Sequence, residues 1–205
     1  MNIDKSLLNK KFHLKELTVK DKQVQIYDNC LPSDEFKKIQ DLLLGTAFPW
    51  FYNSSVVYND DKITPPIDGF DNDDVQQFIH VFYQTTDMSW SGMTDVLSPI
   101  LNILYPRAWM RVKANLGLKE IQHLVGGWHR DLLSPWTGEV HAQESMIGIL
   151  YINTNNGYTL LETGDKIESV ENRLLLFPCH IMHTGITQTD TKIRVVINFN
   201  FMSHD

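Results

Sequence analysis

Two histidines and an aspartate are spaced so that they could share one metal ion. His129 and Asp131 form a His-x-Asp motif in the stretch WHRD, residues 128–131. On a β-strand, residues i and i+2 project from the same face about 6.5–7 Å apart, so the imidazole and the carboxylate can converge on one ion. A motif this short also arises by chance. It becomes informative only with a second ligand-bearing segment.

The second segment is FPCHIMH, residues 177–183, which ends in His183. Two histidines and one carboxylate on one face of a metal leave its other positions open, which is typical of non-haem Fe(II) oxygenases. Arg194 lies eleven positions beyond His183. Its planar guanidinium suits the far carboxylate of a 2-oxo acid that fills the open positions.

The order of these residues resembles the 2-oxoglutarate/Fe(II)-dependent dioxygenases, especially their prolyl-hydroxylase-like branch. In that superfamily a His-x-Asp motif is followed, well downstream, by a His and then by an Arg. The surrounding stretches ILYIN, NNGYTLLE and NRLLLFP match the same context, and VQIYDNCLPSDEFKKI resembles the first strand and helix of that branch. The resemblance extends from about residue 24 to 201 and is densest from 109 onward.

The resemblance implies an iron site and an oxidative reaction. His129, Asp131 and His183 would bind Fe(II), and Arg194 would bind the distal carboxylate of 2-oxoglutarate. The implied cofactors are Fe(II), 2-oxoglutarate as co-substrate, and O₂. The implied products are succinate, CO₂ and a hydroxylated protein side chain, such as proline, or a hydroxylated small metabolite.

Two further residues match co-substrate ligands of the family. Tyr151 stands where prolyl-hydroxylase-like members place a Tyr that donates to the same carboxylate. It also shares a strand face with Ile147 and Ile149, so an ordinary core Tyr is the alternative. Asn115 stands where nucleobase-demethylating relatives place a 2-oxoglutarate-binding Asn, and turn chemistry at a strand end is its alternative.

Other polar and aromatic residues near these motifs have simpler interpretations. His180 lacks the family spacing to Arg194 and is expected at the rim or surface. Arg111 and Lys113 share a strand face with Asn115; they could reach substrate or merely water, and water is favoured. Trp128 and Trp136 could line a substrate cleft or cap the core. Surface positions are expected for His123, Glu139, His141 and Glu144.

The elements that must position these residues change in character along the chain. The sequence predicts a strand at 24–27, a helix at 32–44 capped by Ser33 or Asp34 and ended by Gly45, a strand at 78–84 and a helix at 91–104. Residues 53–74 are rich in Asn, Asp and Pro and are typical of a long loop or lid. After residue 107, strand-like runs recur: WMRVKANL, MIGILYIN, RLLLFP and IRVVINFNF.

The predicted fold is α+β and mainly β: a double-stranded β-helix (jelly-roll) with N-terminal helices packed against one sheet. We expect a single domain over 1–205, with 1–106 as the N-terminal strand and helix support region and 107–202 as the jelly-roll core. This length suits one sizeable core rather than two domains.

Composition limits the class of protein. Apolar residues make up 42% of the 205 residues and charged residues 21%, as in ordinary globular proteins. The net charge of −7 and the lack of a basic stripe argue against a nucleic-acid substrate. With no signal-like or membrane-spanning run, we expect a cytoplasmic protein with a small-molecule or peptidyl substrate. Cys30 and Cys179 are expected to be buried thiols.

Three rival functions remain at this point. A non-redox cupin-like isomerase or metal-binding protein would need no cation aimed at a distal carboxylate, so Arg194 is the discriminating residue. A nucleobase demethylase of the same superfamily is disfavoured by the acidic charge. A non-catalytic interaction domain would be marked by a broken triad, and this triad is whole.

Overall fold

The computed structural model describes residues 3–19, 21–54, 75–131 and 145–204. Two α-helices are present in these ranges, α1 (Ser33–Leu44) and α2 (Ser98–Leu104), with 3-10 helices at Lys5–Leu7 and Thr94–Leu97. The strands are β1 (His13–Val19), β2 (Lys22–Asp28), β3 (Phe51–Asn53), β4 (Gln77–Gln84), β5 (Ser89–Trp90), β6 (Ala108–Leu118), β7 (Ser145–Tyr151), β8 (Tyr158–Leu161), β9 (Lys166–Glu168), β10 (Arg173–Pro178), β11 (His183–Ile186) and β12 (Ile193–Met202).

The strands form two antiparallel sheets. The large sheet has the order β1-β2-β10-β7-β12-β6-β4-β3, with β5 paired to β4. The small sheet has the order β11-β8-β9, and two isolated bridges, Val125–Ile186 and His129–His183, extend it beyond β11. The described fold is therefore mainly β and consistent with a jelly-roll.

Strand β12 shows how the sequence separates core from cavity. Val195, Ile197, Phe199 and Phe201 alternate along it and are all buried in the main apolar cluster. The residues between them project from the opposite face, because side chains of a strand alternate. That opposite face carries Arg194 and Asn198, which line a cavity.

Helix α1 is amphipathic and presents its apolar residues to the interior. Phe36, Ile39 and Leu43 are buried in the same apolar cluster as Leu150 of β7 and Leu174 of β10. Burying side chains of this size contributes about 1.5–3 kcal/mol each.

The predicted side-chain cap of α1 is wrong. The residue at the N-cap is Pro32, and no side chain caps the helix. The fixed φ of proline lets the chain enter the helix one residue earlier than a Ser33 or Asp34 cap requires. Asp34 and Glu35 lie in the first turn, where negative charge is favourable. Gly45 ends the helix, as predicted.

The predicted helix over 91–104 is shorter in the structure. A 3-10 helix covers Thr94–Leu97, and α2 begins only at Ser98. The reason is Pro99, which in the interior of a longer helix would clash with the carbonyl four residues earlier. At the first turn of α2 its missing N–H costs nothing.

The predicted strands at 24–27 and 78–84, and the four runs after residue 107, are all confirmed. NNGYTLLE contains strand β8 as well as a turn. Of the predicted 53–74 loop, Asn53 ends β3, and residues 55–74 lie outside the described part of the chain. Among the described helices, none is both long enough and apolar enough to cross a membrane.

Candidate metal centre

His129, Asp131 and His183 meet at one point of the structure. One ligand atom from each residue lies within 4.8 Å of the others. The Nε2 atom of His129 is 3.7 Å from Oδ1 of Asp131. Asp131 and His183 are buried, with 6% and 3% of their surface exposed, and His129 is partly exposed. The three predicted ligands are thus brought together, and they supply two nitrogens and a carboxylate.

The small sheet fixes the distance between the two histidines. The backbone N–H of each donates to the carbonyl of the other, with N···O distances of 3.1 Å in both directions. Their imidazole centroids are 4.4 Å apart, and the ring of Phe177 packs edge-on against His183 at 4.9 Å. Backbone pairing therefore positions side chains from two distant stretches of sequence.

Each imidazole is oriented by the backbone carbonyl two residues before it. Nδ1 of His129 donates to the carbonyl of Gly127 at 2.9 Å, and Nδ1 of His183 faces the carbonyl of Ile181 at 3.4 Å. A carbonyl can only accept, so the proton lies on Nδ1 and the lone pair on Nε2. This tautomer is the one that a metal ligated through Nε2 requires.

The carboxylate of Asp131 is held by a neighbouring cation. Burial by itself raises the pKa of Asp131, but the guanidinium of Arg111 and then the imidazoles of His129 and His183 outweigh it, so the net pKa is lowered. Nη2 of Arg111 donates to Oδ1 at 3.1 Å. The group is therefore an anion at neutral pH, ready to bind a cation.

Burial has the opposite effect on the charge of His183. Desolvation, followed by the nearby His129, lowers the pKa of His183 to about 4, although Asp131 opposes the shift. The imidazole is neutral at physiological pH. A neutral imidazole is the form that binds a metal.

Arg194 lies at the floor of the same cavity. Its Nε donates to Oγ of Ser169 at 2.9 Å, and its guanidinium carbon is 5.8 Å from the ring centroid of Tyr151. Burial lowers its pKa, and Arg194 stays charged because an Arg pKa starts so high. Its two η nitrogens form no hydrogen bond with the described residues, so they are free for an anion.

Two glycines lie beside Arg194, and Gly157 makes room for it. A Cβ atom on Gly157 would lie 2.9 Å from Cδ of Arg194 and 2.8 Å from the carbonyl oxygen of Ile186. A Cβ atom on Gly185 would lie 3.9 Å from Nη1 of Arg194. Gly185 is two residues beyond His183 on β11, so the strand that carries a predicted metal ligand also adjoins the guanidinium.

Tyr151 and Asn115 differ in how they relate to the cavity. Tyr151 is fully buried and donates its hydroxyl to Oγ1 of Thr159 at 2.7 Å; burial raises its pKa. Thr159 lines the cavity, and Tyr151 reaches it through this hydrogen bond. Asn115 lines the cavity directly, and its Oδ1 is buried with no hydrogen-bond partner among the described residues.

One cavity of about 620 Å³ connects these groups. This volume is within the usual range for small-molecule sites. Its walls include the three predicted metal ligands as well as Asn115 and Arg194. An ion bound by the triad and an anion bound by the guanidinium would therefore occupy one chamber.

Arg111 and Lys113 both line the cavity and keep part of their surface exposed. Period-two alternation with Asn115 placed them on the correct face, and that face borders the predicted metal site, which favours the substrate alternative over open solvent. Because cationic side chains are mostly exposed, sequence alone favoured water. Arg111, which contacts Asp131, is the functional candidate that this reasoning missed.

The remaining candidates are placed as follows. Trp128 is 1% exposed and packs in a small apolar cluster with Val125 and Leu160, so its core alternative holds. His180 is half-buried and outside the metal-binding group, and His123 is exposed, as predicted. Both cysteines are buried and form no disulfide, also as predicted. Trp136, Glu139, His141 and Glu144 lie outside the described residues.

Several solved structures are similar to this chain. No protein-family model and no curated protein matches the sequence. A 2OG-Fe(II) oxygenase family oxidoreductase from Burkholderia pseudomallei has a TM-score of 0.56 at 11% identity, covering 85% of this chain and 81% of that one. The non-haem alpha-ketoglutarate-dependent carbocyclase SnoK from nogalamycin biosynthesis has a TM-score of 0.54 at 10% identity, covering 89% and 80%.

A third similar structure comes from a virus. The viral collagen prolyl hydroxylase vCPH of Paramecium Bursaria Chlorella virus-1, solved with 2OG, has a TM-score of 0.53 at 13% identity. The match covers 88% of this chain and 96% of that one. Identities this low leave the fold as the shared property. The chain has the fold of the 2-oxoglutarate/Fe(II)-dependent oxygenases.

Proposed function

We propose that this chain is a 2-oxoglutarate- and Fe(II)-dependent oxygenase. The observation that carries the proposal is that a His-Asp-His triad and the free end of Arg194 open into one cavity. A metal alone would need the triad but not the guanidinium. A cupin-like metal protein or isomerase therefore does not explain the presence of Arg194. Burying its guanidinium without an anion to pair with would be costly.

The donor set suits Fe(II) with open positions. Two imidazoles and one carboxylate match the facial arrangement of non-haem iron sites. His129, Asp131 and His183 would hold the ion, and Arg194 would bind the distal carboxylate of 2-oxoglutarate. When bound, iron and 2-oxoglutarate supply an oxidation in which O₂ gives one oxygen atom to succinate and one to the substrate, with release of CO₂.

The protein's own residues bind and orient the reactants. The guanidinium of Arg194 is held at Nε by Ser169, which leaves its η nitrogens aimed into the cavity. Tyr151 and Thr159 form a buried hydrogen-bonded pair beside it and would support the same carboxylate. The amide NH2 of Asn115 would donate to the co-substrate. Its buried Oδ1, which has no partner among the described residues, can only accept a hydrogen bond.

The wider assignments follow from the same reasoning. We propose a cytoplasmic hydroxylase that acts on a small metabolite or a protein side chain, and not on nucleic acid, since the chain carries a net charge of −7. We also propose that the N-terminal helices pack against the face of the large sheet that carries the main apolar cluster. The shared apolar cluster of α1, β7 and β10 supports this arrangement.

Anaerobic addition of Fe(II) and 2-oxoglutarate to the metal-free protein tests the function. We expect a visible metal-to-ligand charge-transfer band in the wild type and none in Asp131→Ala. The matched control is Asp41→Ala, which alters an exposed acid paired with Lys37 on α1. A wild-type protein that binds iron but forms no band with 2-oxoglutarate would refute the proposal.

A further inference from the structure

The cavity is cationic in an acidic protein. Its described walls carry four cationic side chains but only one carboxylate, that of Asp131. The cations are Arg111, Lys113, Arg130 and Arg194. The whole chain has a net charge of −7, so this excess does not follow from composition.

Two of the four cations have an anion assigned to them. Arg111 forms an ion pair with Asp131, and Arg194 has the distal carboxylate of 2-oxoglutarate under the proposed function. Binding of Fe(II) and 2-oxoglutarate does not change the net charge of the cavity, because the charges of a ferrous ion and a 2-oxoglutarate dianion cancel. Lys113 and Arg130 therefore face the loaded cavity without a counter-charge from the described residues.

Lys113 is the more informative of the two. It lies on β6 between Arg111 and Asn115, on the cavity face of the strand. Its pairing partners are Val81 on β4 and Asn198 on β12, so both neighbouring strands offer it neutral residues. Its ammonium group forms no hydrogen bond or ion pair with the described part of the chain.

The environment of Lys113 is unfavourable for a lone cation. Burial, and then the charge of Arg111, lower the pKa of Lys113 to about 8, while Asp131 opposes the shift. Lys113 keeps part of its surface exposed. A cation that is largely removed from water is costly unless an anion pairs with it. Nearby Asn198 has a buried Oδ1 with no partner among the described residues, so this wall also offers an acceptor to a hydroxyl or amide N–H of a ligand.

We propose that the substrate is a small molecule with a carboxylate or phosphate group that Lys113 binds beside the metal. This inference rests on the proposed function and narrows it to an anionic substrate. Arg130 lines the same cavity, and its Nε is buried without a partner among the described residues. It offers a second donor to the same group.

Matched charged and neutral probes test the inference. Benzoate, phenyl phosphate and benzamide would be titrated by calorimetry, without oxygen, into protein saturated with Fe(II) and 2-oxoglutarate. The variants are Lys113→Met, Lys113→Arg and the control Lys38→Met, which removes an exposed charge on α1. The charge-transfer band is recorded in each sample, so that folding and co-substrate binding are known before each titration.

We expect the wild type to bind at least one of the two anions about tenfold or more tightly than benzamide, in line with one paired charge in a covered site. Lys113→Met should lose this preference and keep the band. Lys113→Arg and Lys38→Met should keep both the preference for an anion and the charge-transfer band.

Three results would overturn the inference while leaving the oxygenase proposal in place. The first is wild-type protein that binds neither anion better than benzamide. The second is an unchanged preference in Lys113→Met. The third is loss of the band in Lys113→Met, which would assign Lys113 to 2-oxoglutarate. Absence of the band in the wild type would instead refute the oxygenase proposal itself.

Discussion

Nη2 of Arg111 lies 3.1 Å from Oδ1 of Asp131, so a predicted metal ligand already has a cationic partner in the metal-free protein. The pair joins β6 of the large sheet to the His-x-Asp stretch. It offsets the cost of holding a buried carboxylate before a metal arrives.

Replacing Arg111 by Met should destabilise the metal-free protein more than the metal-bound one. Without the guanidinium, we expect a loss of about 1–3 kcal/mol in the free energy of unfolding, because Asp131 loses a charged hydrogen bond. Saturating Mn(II) should reduce this deficit, since the ion compensates the same carboxylate. Urea unfolding with and without Mn(II) measures both values, with Lys38→Met as control. An equal deficit in both conditions would contradict the expected role.

Replacing Arg194 by Met should weaken 2-oxoglutarate binding without affecting the metal. Loss of a charged bidentate partner predicts a dissociation constant about 10–100-fold higher. Mn(II) affinity in the absence of 2-oxoglutarate should stay near the wild-type value, because Arg194 is not among the grouped ligands. Equal 2-oxoglutarate dependence in variant and wild type would remove Arg194 from the site.

Gly157→Ala should damage the site through Arg194. The added Cβ would lie 2.9 Å from Cδ of Arg194 and 2.8 Å from the backbone carbonyl oxygen of Ile186. Both distances are too short for van der Waals contact, so Arg194 or the backbone must move. We expect a loss of about 1–3 kcal/mol in stability and weaker 2-oxoglutarate binding. Gly92→Ala is the matched control, because its Cβ would meet nothing within 4 Å. Thermal unfolding and 2-oxoglutarate titration of both variants measure these two losses. Equal stability and equal 2-oxoglutarate affinity in Gly157→Ala and Gly92→Ala would contradict the expectation.

The metal-free protein should lose stability in acid in two stages. The pKa of His183 is about 4 when folded and 6.5 ordinarily, so the unfolded chain binds the extra proton first as pH falls. Stability therefore falls between pH 6.5 and 4, by up to about 3 kcal/mol. The lowered pKa of Asp131 adds a second loss below its ordinary value of 3.8.

Urea unfolding across this range tests the first stage. His183→Gln should have a flatter dependence between pH 6.5 and 4, because its amide does not titrate. A variant with the wild-type slope would assign the effect to another group.

The strands and the triad were predictable because they depend on local patterns. Alternation placed Arg111, Lys113 and Asn115 on one face correctly, and His-x-Asp spacing placed two ligands together. The environment of that face was not predictable, since the covering residues come from other strands far away in sequence. The pairing of His129 with His183 and the contact of Arg111 with Asp131 likewise join stretches far apart in sequence, which no local window encodes.

The helices also show which features could be predicted from the sequence and which could not. The end of α1 followed from Gly45, whereas its cap did not follow from sequence, because Pro32 took the position that a polar side chain usually fills. The shortened α2 shows that one residue, Pro99, outweighed an otherwise helical stretch.

The bridge between His129 and His183 joins the two segments of the predicted metal site late in synthesis. The last grouped ligand belongs to β11, and Arg194 follows on β12, a strand that enters the large sheet between β6 and β7. A nascent chain that ends before β11 carries only two of the three grouped ligands. Under the proposed function, the complete metal site therefore exists only after β11 has been synthesised, and the complete co-substrate site only after Arg194 has followed.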